Sequence, residues 1–281
     1  MTAGNIESPR KPGPIGVFDS GFGGLTILGA LRQRLPQYDY LYLGDNSRAP
    51  YGTRSFAEVY RYTLEAVRAL FARGCHLVIL ACNTASAKAL RSIQQRDLPA
   101  IDPSRRVLGV IRPTAEALGG LTRSGHIGVL GTPATVTSGS YDIEIANLHP
   151  DYAVTSHACP MWVPLVEYGE AASDGADFFV AKDIDTLLAA DPLIDTVVLG
   201  CTHYPLLLPK IQACCAPRGI RVVVQGDIVA ESLVDYLRRH PDMDDRLTRG
   251  GSVAYLTTGD PDAFDRLAAV FTGQPVRSTH I

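Results

Sequence analysis

Short runs of consecutive apolar residues recur along the chain and end abruptly at small polar residues. The run at 77–80 leads into Ala-Cys-Asn-Thr, and the run at 196–199 leads into Gly-Cys-Thr-His. Such short, β-branched, uniformly apolar runs are typical of strands buried on both faces of a parallel sheet. Open α/β sheets bind ligands at the carboxyl ends of their strands. Cys82 and Cys201 are therefore each predicted to lie at the mouth of a crevice.

The chain carries this pattern twice, with a matching segment upstream of each copy. Residues 15–21 read IGVFDSG and residues 127–133 read IGVLGTP, so each passes from an apolar strand into a turn of small residues. Buried strands resemble one another in any α/β protein, and one match alone could be coincidence. Two matches in the same order favour two related α/β units that face each other.

The remaining periodicity predicts alternating helices and strands. Besides the two cysteine strands, strands are expected at 15–19, 40–43, 107–113, 127–130 and 252–257. Helices are expected at 25–35, 55–72, 85–95, 114–121, 141–148, 176–190, 228–239 and 262–271. The proline-broken stretch 159–167 is interpreted as an inward-packed loop. The first domain is expected to cover 1–112 and 225–281, and the second 113–224.

Composition excludes several classes of function. Of the 281 residues, 46% are hydrophobic and 20% charged, as in a soluble globular protein with a full core. A net charge of −3 with scattered basic residues predicts no nucleic-acid partner. No segment is apolar enough for long enough to predict a membrane span. Met1–Pro14 lacks the apolar centre of a signal peptide or anchor, and we expect it to be a flexible leader.

The cysteines indicate a reducing compartment. Six cysteines without a secretion signal are expected to be free thiols of a cytoplasmic protein. Their spacing does not predict a metal site, because Cys214 and Cys215 are adjacent and no Cys-x-x-Cys occurs. His157 and Cys159 form a short pair without obvious further ligands.

Two equivalent cysteines suit a reaction with two equivalent ends. A cysteine hydrolase needs one thiolate, one histidine and an oxyanion hole. In racemisation, one group removes the Cα proton from one face while another delivers a proton to the opposite face. Thiols suit this exchange because their ordinary pKa, about 8.5, is readily tuned by the environment. Nearby acid–base groups would help, and the sequence offers them in both units: Asp19 and Asp45 in the first, His203 and Glu167 in the second.

The ordered motifs of the chain resemble those of glutamate racemases, in the aspartate/glutamate racemase family. The segments that carry the resemblance are FDSGFGG at 18–24, GD at 44–45, RAPYG at 48–52, ACNTAS at 81–86, GTPAT at 131–135, CP at 159–160, VPLVE at 163–167 and GCTHYP at 200–205. The resemblance implies two pseudo-symmetric α/β domains of mostly parallel sheets flanked by helices, with the active site at the domain interface. It also implies a cofactor-independent, metal-free isomerase, expected as a homodimer, that supplies D-glutamate for peptidoglycan in the bacterial cytoplasm.

The resemblance also assigns roles to individual residues. It implies that Cys82 and Cys201 are the acid–base pair and that Asp19 and His203 assist them. Substrate contacts are implied for Asp19, Ser20, Tyr51, Gly52, Asn83, Thr84, Thr202 and His203, with supporting roles for Asp45, Glu167, Thr132 and Thr135. One departure from many relatives is Gln225-Gly-Asp227, where an Asp-Ser or Asp-Pro helix start is common.

Two alternatives remain at this point. The first is a racemase with the same two-cysteine plan but another substrate, such as aspartate or a hydantoin. The pairs that follow the two cysteines, Asn83-Thr84 and Thr202-His203, favour glutamate. The second is a non-catalytic amino-acid binding protein, but ligand capture does not require a pair of thiols.

Overall fold

The chain folds around two parallel β-sheets in a computed structural model, which describes residues 11–281. The first sheet has six strands in the order β10-β9-β2-β1-β3-β4, and the second has four in the order β6-β5-β7-β8. The strands are β1 Ile15–Asp19, β2 Tyr40–Gly44, β3 Leu77–Leu80, β4 Arg106–Gly109, β5 His126–Gly131, β6 Ala153–Ala158, β7 Thr196–Gly200, β8 Arg221–Val223, β9 Val253–Thr257 and β10 Ser278–His280.

The two sheets share one strand order. In the first sheet β1 lies between β2 and β3, and β4 follows β3; in the second sheet β5 lies between β6 and β7, and β8 follows β7. The cysteine-bearing strands β3 and β7 thus occupy equivalent places, and both are fully buried. This arrangement confirms the predicted fold class of two related α/β units.

Helices cover the sheets and connect successive strands. The α-helices are Leu25–Arg34, Phe56–Ala72, Asn83–Lys88, Leu90–Ser92, Leu98–Ile101, Ile111–Ala117, Pro133–Thr137, Ser140–Leu148, Trp162–Glu167, Asp174–Ala190, Leu208–Cys215, Gln225–Arg239, Pro241–Asp244 and Pro261–Thr272. Ser55 caps the second of these with a capping box, because its hydroxyl accepts from the Glu58 N–H while the Glu58 carboxylate accepts from the Ser55 N–H. The helix predicted at 85–95 is broken after Lys88 and passes into a π-helical turn at Ile93–Asp97.

Two sequence predictions for segments that contain proline were wrong. The expected loop at 159–167 contains the helix Trp162–Glu167, and the expected strand at 107–113 ends at Gly109 before the helix Ile111–Ala117. Pro164 and Pro113 are each the third residue of their helix, where the missing N–H has no intrahelical acceptor to lose.

Three strands at sheet edges were missed: β6 and β8 of the second sheet and β10 of the first. Strand β6, Ala153–Ala158, reads AVTSHA, pairs only with β5 among the described strands, and is partly exposed throughout. An edge strand needs no continuous apolar run, so the hydrophobic pattern gave no signal for it.

The hydrophobic core is divided between the two sheets. Two large clusters pack on either face of the six-stranded sheet, and two others enclose the four-stranded sheet. Trp162, the largest fully buried side chain, packs edge-on against Tyr204 at a centroid distance of 4.7 Å. This contact fixes the helix that carries Glu167 against the segment that follows β7.

The chain passes from the first sheet to the second after β4 and returns after β8. These passages are near the predicted domain bounds, 1–112 with 225–281 and 113–224, which remain a prediction. The predicted leader lies mostly outside the described residues, although Gly13 forms a parallel bridge with Leu247. Between residues 11 and 281, no helix combines the length and apolar character needed to cross a membrane.

Candidate active site

The carboxyl ends of the two sheets face one cavity of about 230 Å³. Strand β3 leads to Cys82 and strand β7 leads directly to Cys201, and both thiols line the cavity. Of the other predicted site residues, those that line it are Ser20, Tyr51, Gly52, Asn83, Thr84, Thr132, Glu167, Thr202 and His203. Asp19, Asp45 and Thr135 do not line the cavity but are buried behind it.

The Cys82 thiol is held in a buried, protonated state. Burial, reinforced by the nearby Asp19 charge, raises the pKa of Cys82 to about 12. The sulfur accepts a hydrogen bond from the Ala85 N–H at 3.4 Å and donates to the Ser20 hydroxyl at 3.5 Å. Cys82 therefore enters the site as a thiol that can donate a proton.

Cys201 lies beside an imidazole that is itself paired with a carboxylate. His203 Nε2 is 3.0 Å from Glu167 Oε1. Burial lowers the pKa of His203, but hydrogen bonds to Cys201 and Glu167 outweigh it and raise that pKa to about 10. His203 is therefore protonated at neutral pH, and a positive charge lies next to Cys201 but not next to Cys82.

Asp19 accepts hydrogen bonds from residues of both halves of the site. It is the last residue of β1 and fully buried, and its Oδ1 accepts from the Gly21 N–H at 2.9 Å. The Thr202 hydroxyl donates to its Oδ2 at 3.5 Å. Burial raises the pKa of Asp19, whereas the charge on His203 acts in the opposite direction.

Threonine hydroxyls from both halves meet on the far wall of the cavity. Thr84 Oγ1 lies 3.0 Å from Thr132 Oγ1 and 3.2 Å from Thr135 Oγ1. No lysine or arginine is found among the described residues that line the cavity. Among the lining side chains, a bound carboxylate would therefore meet these neutral hydroxyls and the charged imidazole of His203.

Asp45 acts on the cavity wall only through Tyr51. Its carboxylate accepts from the Tyr51 hydroxyl, from Arg48 Nε at 2.8 Å and from the Thr258 hydroxyl at 2.7 Å. The Tyr51 hydroxyl is thus already bonded to protein, and the pKa of Tyr51 is raised by burial and by Asp45. This leaves the ring and backbone of Tyr51 to face the cavity.

Gly23 lets the turn after β1 approach the second half closely. A Cβ atom at this position would lie 2.2 Å from Thr202 Oγ1 and 2.5 Å from His203 Nδ1. Contacts this short do not occur between a real Cβ and its neighbours, so only glycine permits the observed approach.

One group of metal-ligand types lies next to the site. His157, Cys159 and Asp183 place their ligand atoms within 4.8 Å of one another, the one such group among residues 11–281. His157 Nε2 is 3.1 Å from Asp183 Oδ1, and Asp183 is also a hydrogen-bond partner of the Cys159 thiol. These hydrogen bonds satisfy the three side chains without an ion.

Comparison with known proteins places the chain in a family. The profile described as Asp/Glu/Hydantoin racemase matches residues 26–233. The chain belongs to this racemase family. It is 41% identical to a glutamate racemase of Ruegeria pomeroyi over 268 residues, which cover 92% of this chain and 96% of that protein.

Solved racemase structures have the same fold over nearly the whole chain. Glutamate racemase isoform RacE1 from Bacillus anthracis matches with a TM-score of 0.86 at 32% identity, covering 96% of this chain and 97% of that one. Glutamate racemase from Francisella tularensis, in complex with D-glutamate, matches with a TM-score of 0.83 at 28% identity and the same coverage. The fold and family inferred from the motifs are thereby confirmed.

In this racemase, the sequence analysis missed the residues that hold Asn83. The Asn83 amide is bonded on both sides, to Gln225 and to Tyr141, and neither was singled out as part of the site. Gln225 was noticed only as a departure from a common helix start. The available signal was the amide side chain of Gln225 at the start of a helix, close to the point where the chain returns to the first sheet.

Proposed function

We propose that this racemase interconverts L-glutamate and D-glutamate, with Cys82 and Cys201 as the two acid–base groups. The observation that carries the proposal is that both thiols line one cavity at the carboxyl ends of equivalent strands. Relatives named as glutamate racemases, one of them solved with D-glutamate, support this choice of substrate.

The proposed reaction moves one proton off Cα and another onto it. With L-glutamate, the Cys201 thiolate takes the Cα proton, and the electron pair delocalises into the α-carboxylate. The Cys82 thiol then gives its proton to the opposite face of Cα, which yields D-glutamate, a Cys82 thiolate and a Cys201 thiol. The reverse reaction exchanges the two roles.

The surroundings of the two thiols suit the L-to-D direction. Cys82 is a thiol because burial raises its pKa to about 12. His203 is bonded to Cys201 and can exchange a proton with it, while Glu167 keeps the imidazole charged. The surroundings of the two thiols are therefore unequal, because a charged imidazole lies beside Cys201 whereas burial raises the pKa of Cys82.

Substrate binding is assigned to hydroxyl and amide donors and to the charged imidazole of His203. Thr84, Thr132 and Thr202 offer hydroxyls to the two carboxylates of glutamate, and Asn83 offers one side-chain N–H. Ser20 lines the cavity on the side of Cys82, where it can accept from the ammonium group, and the buried Asp19 places a carboxylate behind it. Gly52 allows the backbone to pack closely against Thr132, since a Cβ at this position would lie 2.9 Å from Thr132 Cβ.

Proton exchange in heavy water tests this function. The purified protein is incubated with L-glutamate in D2O, and the Cα–H signal is followed by NMR, with L-aspartate and a hydantoin as parallel substrates. The proposal expects loss of the glutamate signal and formation of D-glutamate. If the Cα proton of another substrate exchanges in preference to that of glutamate, the protein is a racemase with a different substrate. If no substrate exchanges its Cα proton, the alternative of a non-catalytic binding protein is favoured.

The proposed mechanism needs no cofactor or metal, because the two thiols supply both proton transfers. Activity is therefore expected to survive exhaustive dialysis against a chelator. Loss of activity that pyridoxal phosphate or a divalent ion restores would contradict the mechanism.

In the cell, the proposed role is to supply D-glutamate for peptidoglycan in the cytoplasm. We further propose a homodimer, on the resemblance to glutamate racemases alone. Light scattering at micromolar concentrations should give twice the chain mass of 30.2 kDa. A monomer throughout that range would contradict the assembly but not the reaction.

A further inference from the structure

Asn83 is held in a closed ring of three hydrogen bonds behind the cavity. Asn83 Nδ2 donates to Gln225 Oε1 at 2.6 Å, Gln225 Nε2 donates to the Tyr141 hydroxyl at 2.8 Å, and that hydroxyl donates to Asn83 Oδ1 at 2.7 Å. Each side chain donates once and accepts once within the ring, and all three are buried.

The ring fixes which way the Asn83 amide points. With the amide reversed, two carbonyl oxygens, Asn83 Oδ1 and Gln225 Oε1, would face each other at hydrogen-bond distance. Such a contact repels and leaves buried groups unsatisfied. In the observed orientation the ring uses one Asn83 N–H, so the second N–H remains available to the cavity that Asn83 lines.

Gln225 also joins the two segments where the chain passes between the sheets. It is the first residue of its helix, directly after the return passage. Its Nε2 donates to Thr114 Oγ1 at 2.9 Å and lies 3.3 Å from the Val110 carbonyl, both in the outgoing passage. Thr114 in turn donates to the Val110 carbonyl at 2.7 Å. The ring therefore depends on the relative position of the two halves.

We infer that Gln225, with Tyr141, is a positioning residue that orients the Asn83 amide for substrate and does so only when the two halves are in this arrangement. This inference rests on the proposed function for its substrate, glutamate. Asn83 directly follows Cys82, so an amide free to rotate would lose its substrate hydrogen bond close to the reacting centre.

Kinetics of Gln225→Met and Tyr141→Phe test the inference. Each keeps the side-chain size but removes ring hydrogen bonds. We expect the KM for both glutamate enantiomers to rise about tenfold, the equivalent of one hydrogen bond, with a smaller fall in kcat. Gln225→Glu, which keeps the acceptor but loses the donor, should not restore KM. A stability loss with unchanged KM would overturn the inference.

Thr114→Val is the matched comparison. It removes the hydrogen bonds that Thr114 makes with Gln225 and with the Val110 carbonyl but none of the three bonds of the ring. Its KM should therefore stay close to that of the wild type even where stability falls. In an Asn83→Ala background, Gln225→Met should raise KM no further, because Gln225 acts through Asn83. Additive effects of the two substitutions would overturn the inference.

Hydrogen exchange provides a readout that does not need activity. With ¹⁵N-labelled asparagine, the Asn83 side-chain N–H in the ring should exchange slowly in the wild type and much faster in Gln225→Met. Equal exchange rates would overturn the positioning role. A wild type that shows slow exchange but does not racemise glutamate would refute the proposed function while leaving the ring established.

Discussion

The imidazole of His203 lies 3.0 Å, Nε2 to Oε1, from the carboxylate of Glu167. Glu167 is partly exposed at the cavity and comes from the helix that the sequence analysis had taken for a loop. This contact pairs the imidazole beside Cys201 with a carboxylate. It makes the second half of the site electrostatically different from the first, although the two sheets share one strand order.

Glu167→Gln tests the importance of this charge. Because the amide cannot stabilise an imidazolium by charge, the pKa of His203 should fall and the alkaline side of the pH–rate profile should shift to lower pH. We expect kcat to fall by at least about tenfold at neutral pH. The control is Glu170→Gln, the same change at an exposed side chain three residues further on. An unaltered pH profile in Glu167→Gln would show that the contact has no role in tuning His203.

His203 should also make stability depend on pH. Its pKa is raised from 6.5 to about 10 in the folded protein, so between these values the folded state binds a proton that the unfolded state has lost. The resulting stabilisation is complete below pH 6.5 and disappears as pH rises through about 10. Denaturant unfolding from pH 6.5 to 10 should show a shallower decline in His203→Gln than in the wild type. Parallel curves would mean that His203 is not charged in the fold.

Gly23→Ala should separate the two halves of the site. Its Cβ would lie 2.2 Å from Thr202 Oγ1, and the backbone or the second half must move to relieve that contact. A displacement on the order of 1 Å can lower a catalytic rate about a hundredfold, and we expect a loss of that size in kcat/KM. The measurement is racemisation of both enantiomers, with circular dichroism to show that the variant is folded.

Gly29→Ala is the control for that substitution. Gly29 lies inside the helix Leu25–Arg34, and a Cβ there would meet no atom within 4 Å. Alanine should stabilise the helix by about 0.5–1 kcal/mol and leave kcat/KM unchanged. Equal activity in Gly23→Ala and Gly29→Ala would contradict the need for close approach at Gly23.

The sequence predicted the parts of the site that follow from strand ends. Cys82 and Cys201 each follow a fully buried apolar strand, so their shared location could be inferred from hydrophobic pattern and the rule for parallel sheets. The motifs then predicted the family. For His203 and Glu167, the sequence suggested only two acid–base groups in the second unit. It did not predict their contact, because the two residues are far apart along the chain.

What the sequence could not predict depends on tertiary hydrogen bonds. Tyr51 was expected to contact substrate, yet its hydroxyl is bonded to Asp45, which local sequence does not reveal. The Asn83, Gln225 and Tyr141 ring joins three distant segments, and no periodicity encodes it. The proline at 164 misled the assignment of 159–167 as a loop, because proline is tolerated in the first turn of a helix.

The two cysteines should serve opposite enantiomers, with Cys201 taking the proton from L-glutamate and Cys82 from D-glutamate. A Cys→Ser change weakens the altered base severely, since a hydroxyl is a far poorer proton acceptor than a thiolate at neutral pH. In Cys82→Ser, proton removal from D-glutamate should become more rate-limiting. The kinetic isotope effect with Cα-deuterated substrate should therefore grow more for D-glutamate than for L-glutamate.

Cys201→Ser should give the mirror pattern. The control is Cys215→Ser, which should change neither isotope effect because Cys215 is buried and does not line the cavity. The surroundings of the two cysteines differ, because burial raises the pKa of Cys82 to about 12 whereas Cys201 lies beside the charged imidazole of His203. If both variants raise the isotope effect for the same enantiomer, or either keeps nearly full activity, the cysteines are not the opposed acid and base. Proton transfer would then have to be assigned to Asp19 or His203.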